Sequence, residues 1–422
     1  MTEVKAFRAL RPADGYADQI AALPYDVMNS DEAREMVKGK PLSFLHVDKA
    51  EIDLDPSINI YDDSVYEKAR ENFLALRNSG KMQKDEKDCY YIYRLTMDGR
   101  VQTGIAACPA VDDYLEGSIK KHELTRADKE ADRIRHVDTL DANTGPIFLT
   151  HRSDAELSAV TKEWIAKHGP VFSFMDGDIK HEGWVIDCPD TTGKIASCYK
   201  RIPAIYIADG HHRCASAVKV AQKRREANPG YTGKEEFNYF LAVLFPSDEL
   251  YIYDYNRLVL DLNGLGEVEF LEKARKSFEI EKAEGVVKPQ TKHEFGLLLK
   301  SQSSGNETPK KTWYRLRAKQ GIWNDNDPVE RLDVSILQNH LLSPILGIDD
   351  PRTSKRIDFV GGIRGLGELE RRVDAGMAAA FSMFPTTLDD LMDIADSGNI
   401  MPPKSTWFEP KLLSGLFIHD LT

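Results

Sequence analysis

The chain has 422 residues, a hydrophobic share of 41% and a net charge of −12. Those values suit a water-soluble globular protein of two or three domains, and the acidic balance argues against a general nucleic-acid-binding surface. Five widely spaced cysteines (Cys89, Cys108, Cys188, Cys198 and Cys214) speak against a disulfide scaffold or zinc knuckle, which makes a reducing cytoplasm the expected compartment.

Near the start, Phe7 to Pro12 and Ala22 to Val27 read as extended or loop segments, with Pro24 barring a helix interior. Asn29 or Ser30 caps a short helix from Asp31 to Lys38, stopped by Gly39 and Pro41. The spacing of Val65, Ala69, Phe73 and Leu76 predicts a helix from Ser64 to Asn78. Two β-type runs, Tyr90 to Leu95 and Val101 to Ala106, flank Asp98-Gly99, a hairpin signal. A charged stretch follows from Lys120 to Asn143. Pro146 to Thr150 reads as a strand and Asp154 to Lys167 as a helix. Further on, Phe240 to Phe245 and part of Leu250 to Leu260 read as strands. Ser301 to Lys311 reads as an exposed loop, and Val329 to Leu346 as a helix with core-type spacing. Ile357 to Val360 and Met377 to Phe384 are predicted strands. Leu366 to Ala375 and Leu388 to Asp396 are predicted helices. A soft boundary near Gly264 divides residues 1–263, a mixed α/β domain, from residues 264–422, an α/β region that contributes to the same site. No signal peptide is expected, and no apolar run approaches the roughly 20 residues that span a bilayer.

The chemistry concentrates at Ala204-Ile205-Tyr206-Ile207-Ala208-Asp209-Gly210-His211-His212-Arg213. An apolar strand ends at Asp-Gly, and a helix with a cationic first turn follows. A helix start leaves N–H groups unpaired and carries the positive end of the macrodipole, so it attracts anions. The bland alternative makes Asp209 an N-cap with solvated basic neighbours. Against it stands the electrostatic cost of His-His-Arg in a first turn, unless an anion compensates. Adjacent histidines point about 100° apart on a helix, which suits contacts to different phosphate oxygens better than a shared metal. Arg213 is the natural bidentate clamp.

Elsewhere, His122-Glu123-Leu124-Thr125-Arg126 lacks the second histidine of a zinc protease. Glu123 is then a candidate base for a substrate hydroxyl. Lys404 and Ser405, in a Pro-rich loop, are outside candidates for phosphate contact, and Asp26 is a further site candidate. No P-loop pattern occurs, and the glycines from Gly361 to Gly367 do not match the dinucleotide fingerprint.

Asp-Gly-His-His-Arg resembles the signature of free serine kinases, whose fold is similar to the ParB and sulfiredoxin group. That resemblance implies a mixed α/β (α+β) fold with a ParB/sulfiredoxin-like core, a mixed sheet and flanking helices. It implies phosphate transfer from a nucleotide, ADP or ATP, to the hydroxyl of a small metabolite such as serine. Asp209 would then hold Mg2+ and serve catalysis with Glu123 and His211, while Gly210, His212, Arg213, Lys404 and Ser405 would bind the nucleotide. The rival reading is a ParB-like nucleotide-binding regulator without kinase activity. Phe7 to Pro12, Leu23 to Val27, His122-Glu123 with Asp132-Arg133, Ala208 to Arg213 and Met401 to Thr406 together resemble the domain-of-unknown-function family 1015.

Overall fold

The computed structural model describes residues 2–300 and 310–422. Most of the predicted loop from Ser301 to Lys311 lies outside the described residues. The chain forms two units: residues up to Leu250 with Pro410–Thr422, and Tyr251–Glu409. Both mix helices with sheet, so the mixed α/β class holds. Gly264 lies inside the second unit. The crossing comes earlier because the strand Tyr255–Val259 hydrogen-bonds to strands of the second sheet.

The first unit is organised on a nine-stranded mixed sheet. Its strands are β1 (Val4–Lys5), β2 (Tyr90–Met97), β3 (Arg100–Pro109), β4 (Ile119–Lys120), β5 (Ile147–His151), β6 (Phe172–Asp176), β7 (Ile179–Ile186), β8 (Ile205–Asp209) and β9 (Ala242–Pro246). The order is β4-β8-β5-β9-β3-β2-β7-β6, with β1 on β3. β2 and β3 form the predicted hairpin, Met97 facing Arg100 across Asp98-Gly99, both at positive φ as a two-residue turn needs. β8 runs antiparallel to β5, and the pairing shifts register between Ile207 and Asp209. Such a bulge bends a strand and re-aims the next side chain, here Asp209.

The flanking helices follow their sequence signals. Asn29 caps α1 (Ser30–Met36) in a capping box with Glu32. α2 (Asp63–Arg77) buries Val65, Ala69, Phe73 and Leu76. α3 (Ala127–Leu140) occupies much of the charged stretch. Asp154 caps α4 (Ala155–Lys167), α5 spans Pro189–Arg201, and α6 spans His211–Ala227. One core packs Ile147, Leu149, Ile205 and Ile207 against Cys214, Val218, Ile195 and Tyr199, tying α5 and α6 to the sheet.

The second unit holds a six-stranded antiparallel sheet built from β10 (Tyr255–Val259), β11 (Phe278–Lys282), β12 (Glu294–Lys300), β13 (Lys311–Ala318), β14 (Ile357–Gly361) and β15 (Ala379–Ser382). Its helices include α7 (Leu366–Asp374) and α8 (Leu388–Asp396), the latter capped by Thr387. The predicted helix from Val329 to Leu346 is shorter. Asp333–Leu337 is helical, Gln338–Leu342 forms a wider π-type turn, and the chain leaves the helix before Pro344, which has no N–H to continue the ladder. Its apolar spacing still serves the core, since Val334, Ile336, Leu337, Leu341 and Leu342 are buried. No helix among the described residues is long and apolar enough to cross a membrane.

Candidate functional site: the strand end at Asp209 and the start of the following helix

β8 ends and α6 begins across a single residue, Gly210, at φ 89°. That left-handed conformation is open to glycine and strained for other residues. A Cβ there would also come within 3.4 Å of Arg213 Nε. Gly210, not Asp209, is the N-cap, and no side chain caps the helix. The first α6 bond runs from the Cys214 N–H to the Gly210 carbonyl at 2.9 Å. The N–H groups of His211, His212 and Arg213 are thus left without intrahelical acceptors. No acidic residue occupies the first turn. The uncapped helix start free of acidic residues is present with Arg213 as its cation, and the capping alternative for Asp209 is not.

Asp209 is engaged from two sides. Its Oδ1 accepts the Gly210 N–H at 2.8 Å, and its Oδ2 accepts from Lys411 Nζ at 2.9 Å. Burial alone would raise its pKa, but Lys411 and Arg213 outweigh burial and hold the carboxyl well below the usual range. Lys411 belongs to the segment that returns to the first unit. The ammonium occupies the carboxylate that the resemblance assigns to Mg2+. A magnesium ion needs several oxygen ligands, and among the described residues no three His, Cys, Asp or Glu side chains converge. Asp209 in this setting does not fit a resident metal; its geometry is that of a carboxylate orienting a lysine.

Arg213 lies beside it, largely shielded from solvent. Its Nη1 donates to the Pro146 carbonyl at 2.6 Å, Nη2 lies 4.0 Å from Asp26, and Nε is buried with no partner. A Cβ on Gly145 would lie 2.9 Å from Ser414 Oγ and 3.7 Å from Arg213, so this loop approaches closely because it carries glycine. Asp26 follows Tyr25, whose ring lies 4.0 Å from the Arg133 guanidinium. Arg133 is in turn held by Asp132 at 2.8 Å, and Asp132 accepts from Tyr66 at 2.8 Å. The Leu23 to Val27 loop is thereby pinned to α3 beside Arg213.

The two histidines differ. His212 is half-buried and its Nε2 accepts the Arg126 N–H at 3.0 Å, so its proton sits on Nδ1. His211 is buried, with Nε2 unpartnered and Nδ1 3.8 Å from Glu123. Its ring meets that of His122 edge-on at 4.5 Å, and both nitrogens of His122 are buried without a hydrogen bond. Burial, then the neighbouring His122, pushes His211 well below its ordinary pKa. Burial pushes His122 down to about 4, with Asp209 partly opposing. Both rings are neutral near pH 7.

This predicts a pH effect on stability. In the unfolded chain His122 titrates near its ordinary value of about 6.5, whereas the folded ring resists protonation until about pH 4. Its contribution is fully present above the unfolded value and is lost as pH falls between the two. The expected loss is about 3 kcal/mol from this ring, with His211 acting in the same direction. By about pH 5 roughly 2 kcal/mol of that is already lost, so urea midpoints near neutrality and at about pH 5 should differ by the equivalent of that much. Equal midpoints would contradict it.

Asp209, Gly210, His211, His212, Arg213, Glu123 and Asp26 thus come together in the first unit. Lys404 and Ser405 fall in the second unit. There the Lys404 carbonyl accepts from Arg257 at 3.1 Å and its Nζ lies 5.7 Å from the Tyr255 ring, while Ser405 donates to the Pro402 carbonyl at 2.6 Å. Those contacts shape a turn. Sequence reasoning missed Lys411 as the partner of Asp209, and it gave His122 no role beside His211. The Gly145-Pro146 pair ahead of a strand was the one local sign of the loop that receives Arg213.

No curated protein matches the sequence. Among solved structures, a free serine kinase in complex with AMP is similar at 14% identity and a TM-score of 0.35, covering 72% of this chain and 86% of that one. SbnI with a C-terminal truncation, from Staphylococcus aureus, is similar at 9% identity and a TM-score of 0.36, covering 73% and 85%. A conserved hypothetical protein from Pyrococcus furiosus is similar at 14% identity and a TM-score of 0.33, covering 74% and 94%. Residues 4–335 match the model of "Protein of unknown function (DUF1015)", and the chain, with its Asp209 to Arg213 turn inside that span, belongs to this family.

Proposed function

We propose that the start of α6 binds the phosphates of a nucleotide and that the protein transfers a phosphoryl group to the hydroxyl of a small metabolite, serine being the first acceptor to test. One observation carries this reading. An uncapped helix start without acidic residues presents three open N–H groups, and beside it His211 Nε2 and Arg213 Nε are buried without partners. Backbone donors and a fixed guanidinium are what a phosphate needs. Unpaired buried polar atoms are costly unless a ligand satisfies them.

In this reading Gly210 sets the turn, and the N–H groups of His211, His212 and Arg213 cradle phosphate oxygens. His211, neutral, donates its ring N–H to one of them. Lys411, positioned by Asp209, offsets charge that builds on the transferring group. Glu123, 3.8 Å from His211, takes the proton of the acceptor hydroxyl. The acceptor oxygen forms a new bond to phosphorus, and the bond from phosphorus to the nucleotide's bridging oxygen breaks. That electron pair leaves on the shortened nucleotide, ADP from ATP or AMP from ADP.

The test is turnover by purified protein with magnesium, using ADP, ATP or pyrophosphate as donor and a panel of small hydroxyl compounds including serine. Phosphorus NMR would follow the product. Transfer from one donor is expected, reduced on the order of a hundredfold in Glu123→Gln, as for loss of a positioned base. No transfer from any donor to any acceptor would sink the kinase reading. Tight nucleotide binding without transfer would favour the regulator instead.

A further inference from the structure

A cavity of about 260 Å³ lies in the first unit, at the far end of β5 and β8 from Asp209. β5 connects the two places. Pro146, just before it, receives Arg213, while His151, its last residue, lines the cavity and pairs with Ile205 at the beginning of β8. At about 3.3 Å per residue the separation along the strand is roughly 15 Å. The cavity therefore shares no residue with the phosphate-binding candidate.

Its bed is apolar, formed by Ile105, Leu157, Ile165 and Leu244. Two polar side chains lining it are buried and incompletely satisfied: Tyr199, 0% exposed, with an unpartnered hydroxyl, and His151, 1% exposed, with an unpartnered Nε2. Their rings meet edge-on at 5.7 Å. His151 Nδ1 lies 2.9 Å from the Arg152 carbonyl and must be its donor. In the neutral ring, which burial favours, Nε2 is then an acceptor. Tyr199 offers a donor. The charged lining groups are otherwise occupied or solvated. Arg94 donates to Thr103 at 3.3 Å and lies 5.3 Å from the Trp184 ring, Glu249 accepts the Thr103 N–H at 2.6 Å, and Lys162 is exposed. The lining Thr161 hydroxyl is spent on the Leu157 carbonyl at 2.8 Å.

We infer that this cavity is a binding site for a small neutral molecule that carries one hydroxyl on an apolar body, of the phenol or aromatic-alcohol class. A hydroxyl donates to His151 Nε2 and accepts from Tyr199, satisfying both atoms at once. Its hydrocarbon part covers the apolar bed. An apolar cavity of about 150 Å³ already holds benzene, so the space suffices. Water alone satisfies the two polar atoms but gains nothing from the apolar remainder.

p-Cresol is the probe, titrated into the full chain by calorimetry and by ligand-observed NMR, with toluene as the matched compound lacking the hydroxyl. Saturable binding of p-cresol at one site is expected, with toluene at least about tenfold weaker. Tyr199→Phe should weaken p-cresol by about tenfold and leave toluene unchanged. Because that residue is buried, Ser158→Trp provides a second variant: it is half-buried on α4, lines the cavity, and should fill the space and abolish binding of both compounds. No saturable binding at millimolar p-cresol, equal binding of toluene, or a crystal soak that shows only water between Tyr199 and His151 would each overturn the assignment.

Discussion

Deletion of Pro410–Thr422 is expected to abolish folding of the first unit. The segment looks dispensable by position, yet Leu412, Leu413, Leu416, Phe417, Ile418 and Leu421 are all at most 3% exposed. Burying such side chains contributes about 1.5–3 kcal/mol each, so their sum reaches ten kcal/mol or more on the order-of-magnitude scale. Net stability of a domain is typically about 5–15 kcal/mol, which leaves no margin. Backbone pairing adds to this. Ile418 exchanges hydrogen bonds with Leu10 at 3.0 Å in both directions, and Ser414 does so with Ala22 at 2.8 and 3.2 Å. Asp420 receives Arg77 at 2.9 Å and Lys84 at 2.5 Å. Circular dichroism and limited proteolysis of the shortened chain should report loss of the cooperative transition of residues up to Leu250. A truncated protein that melts like the intact one would refute the expectation.

Arg213→Ala is expected to weaken nucleotide binding by about ten- to a hundredfold, the worth of a charge-assisted hydrogen bond. The change removes the buried Nε donor and leaves the Pro146 carbonyl without the arginine that now bonds it. Asp209→Asn acts differently. It keeps the Gly210 N–H contact available but leaves Lys411, only 13% exposed, beside a neutral amide. Removing one partner of a buried pair costs about 3–5 kcal/mol; this pair is open to water on the Asp209 side, 33% exposed, and Lys411 keeps other contacts, so about 1–3 kcal/mol is the expected loss. Calorimetric titration with ADP and thermal melts of both variants separate the two outcomes: affinity falls most in Arg213→Ala, stability falls most in Asp209→Asn. Wild-type affinity in Arg213→Ala would remove this helix start from the binding site.

Local signals carried much of the fold. The capping box at Asn29, the Asp98-Gly99 hairpin and the buried face of α2 are all short-range physics, and each appears where its residues direct. Strands without a distinctive pattern escaped. β11 and β13, where charged residues interrupt the apolar ones, received no strand assignment. α5 begins at a proline and carries a central glycine, Gly193, which masked its apolar face. The cationic helix start was legible because basic residues in a first turn run against the macrodipole. Lys411 was not legible, because nothing local links it to a carboxylate 202 positions earlier. His122 was hidden for the same reason: its meaning lies in the edge-on contact with His211, formed only when the loop after β4 meets α6.

The discontinuity of the first unit bears on the order in which the molecule is made. On the ribosome, Tyr251–Glu409 emerges as one uninterrupted stretch with its own sheet, so it has all its partners before Pro410 appears. The first unit, although synthesised earlier, waits with an open apolar seam around Leu10 and Phe44 that Ile418 and Gly415 later cover. Domains usually mature from the N-terminal side, and exposed seams invite aggregation. Here the chain order lets the second unit complete its sheet first, and the Asp209–Lys411 pair closes only with the last segment. A nascent chain stalled before Pro410 would carry every residue from Asp209 to Arg213 and still lack the assembled site.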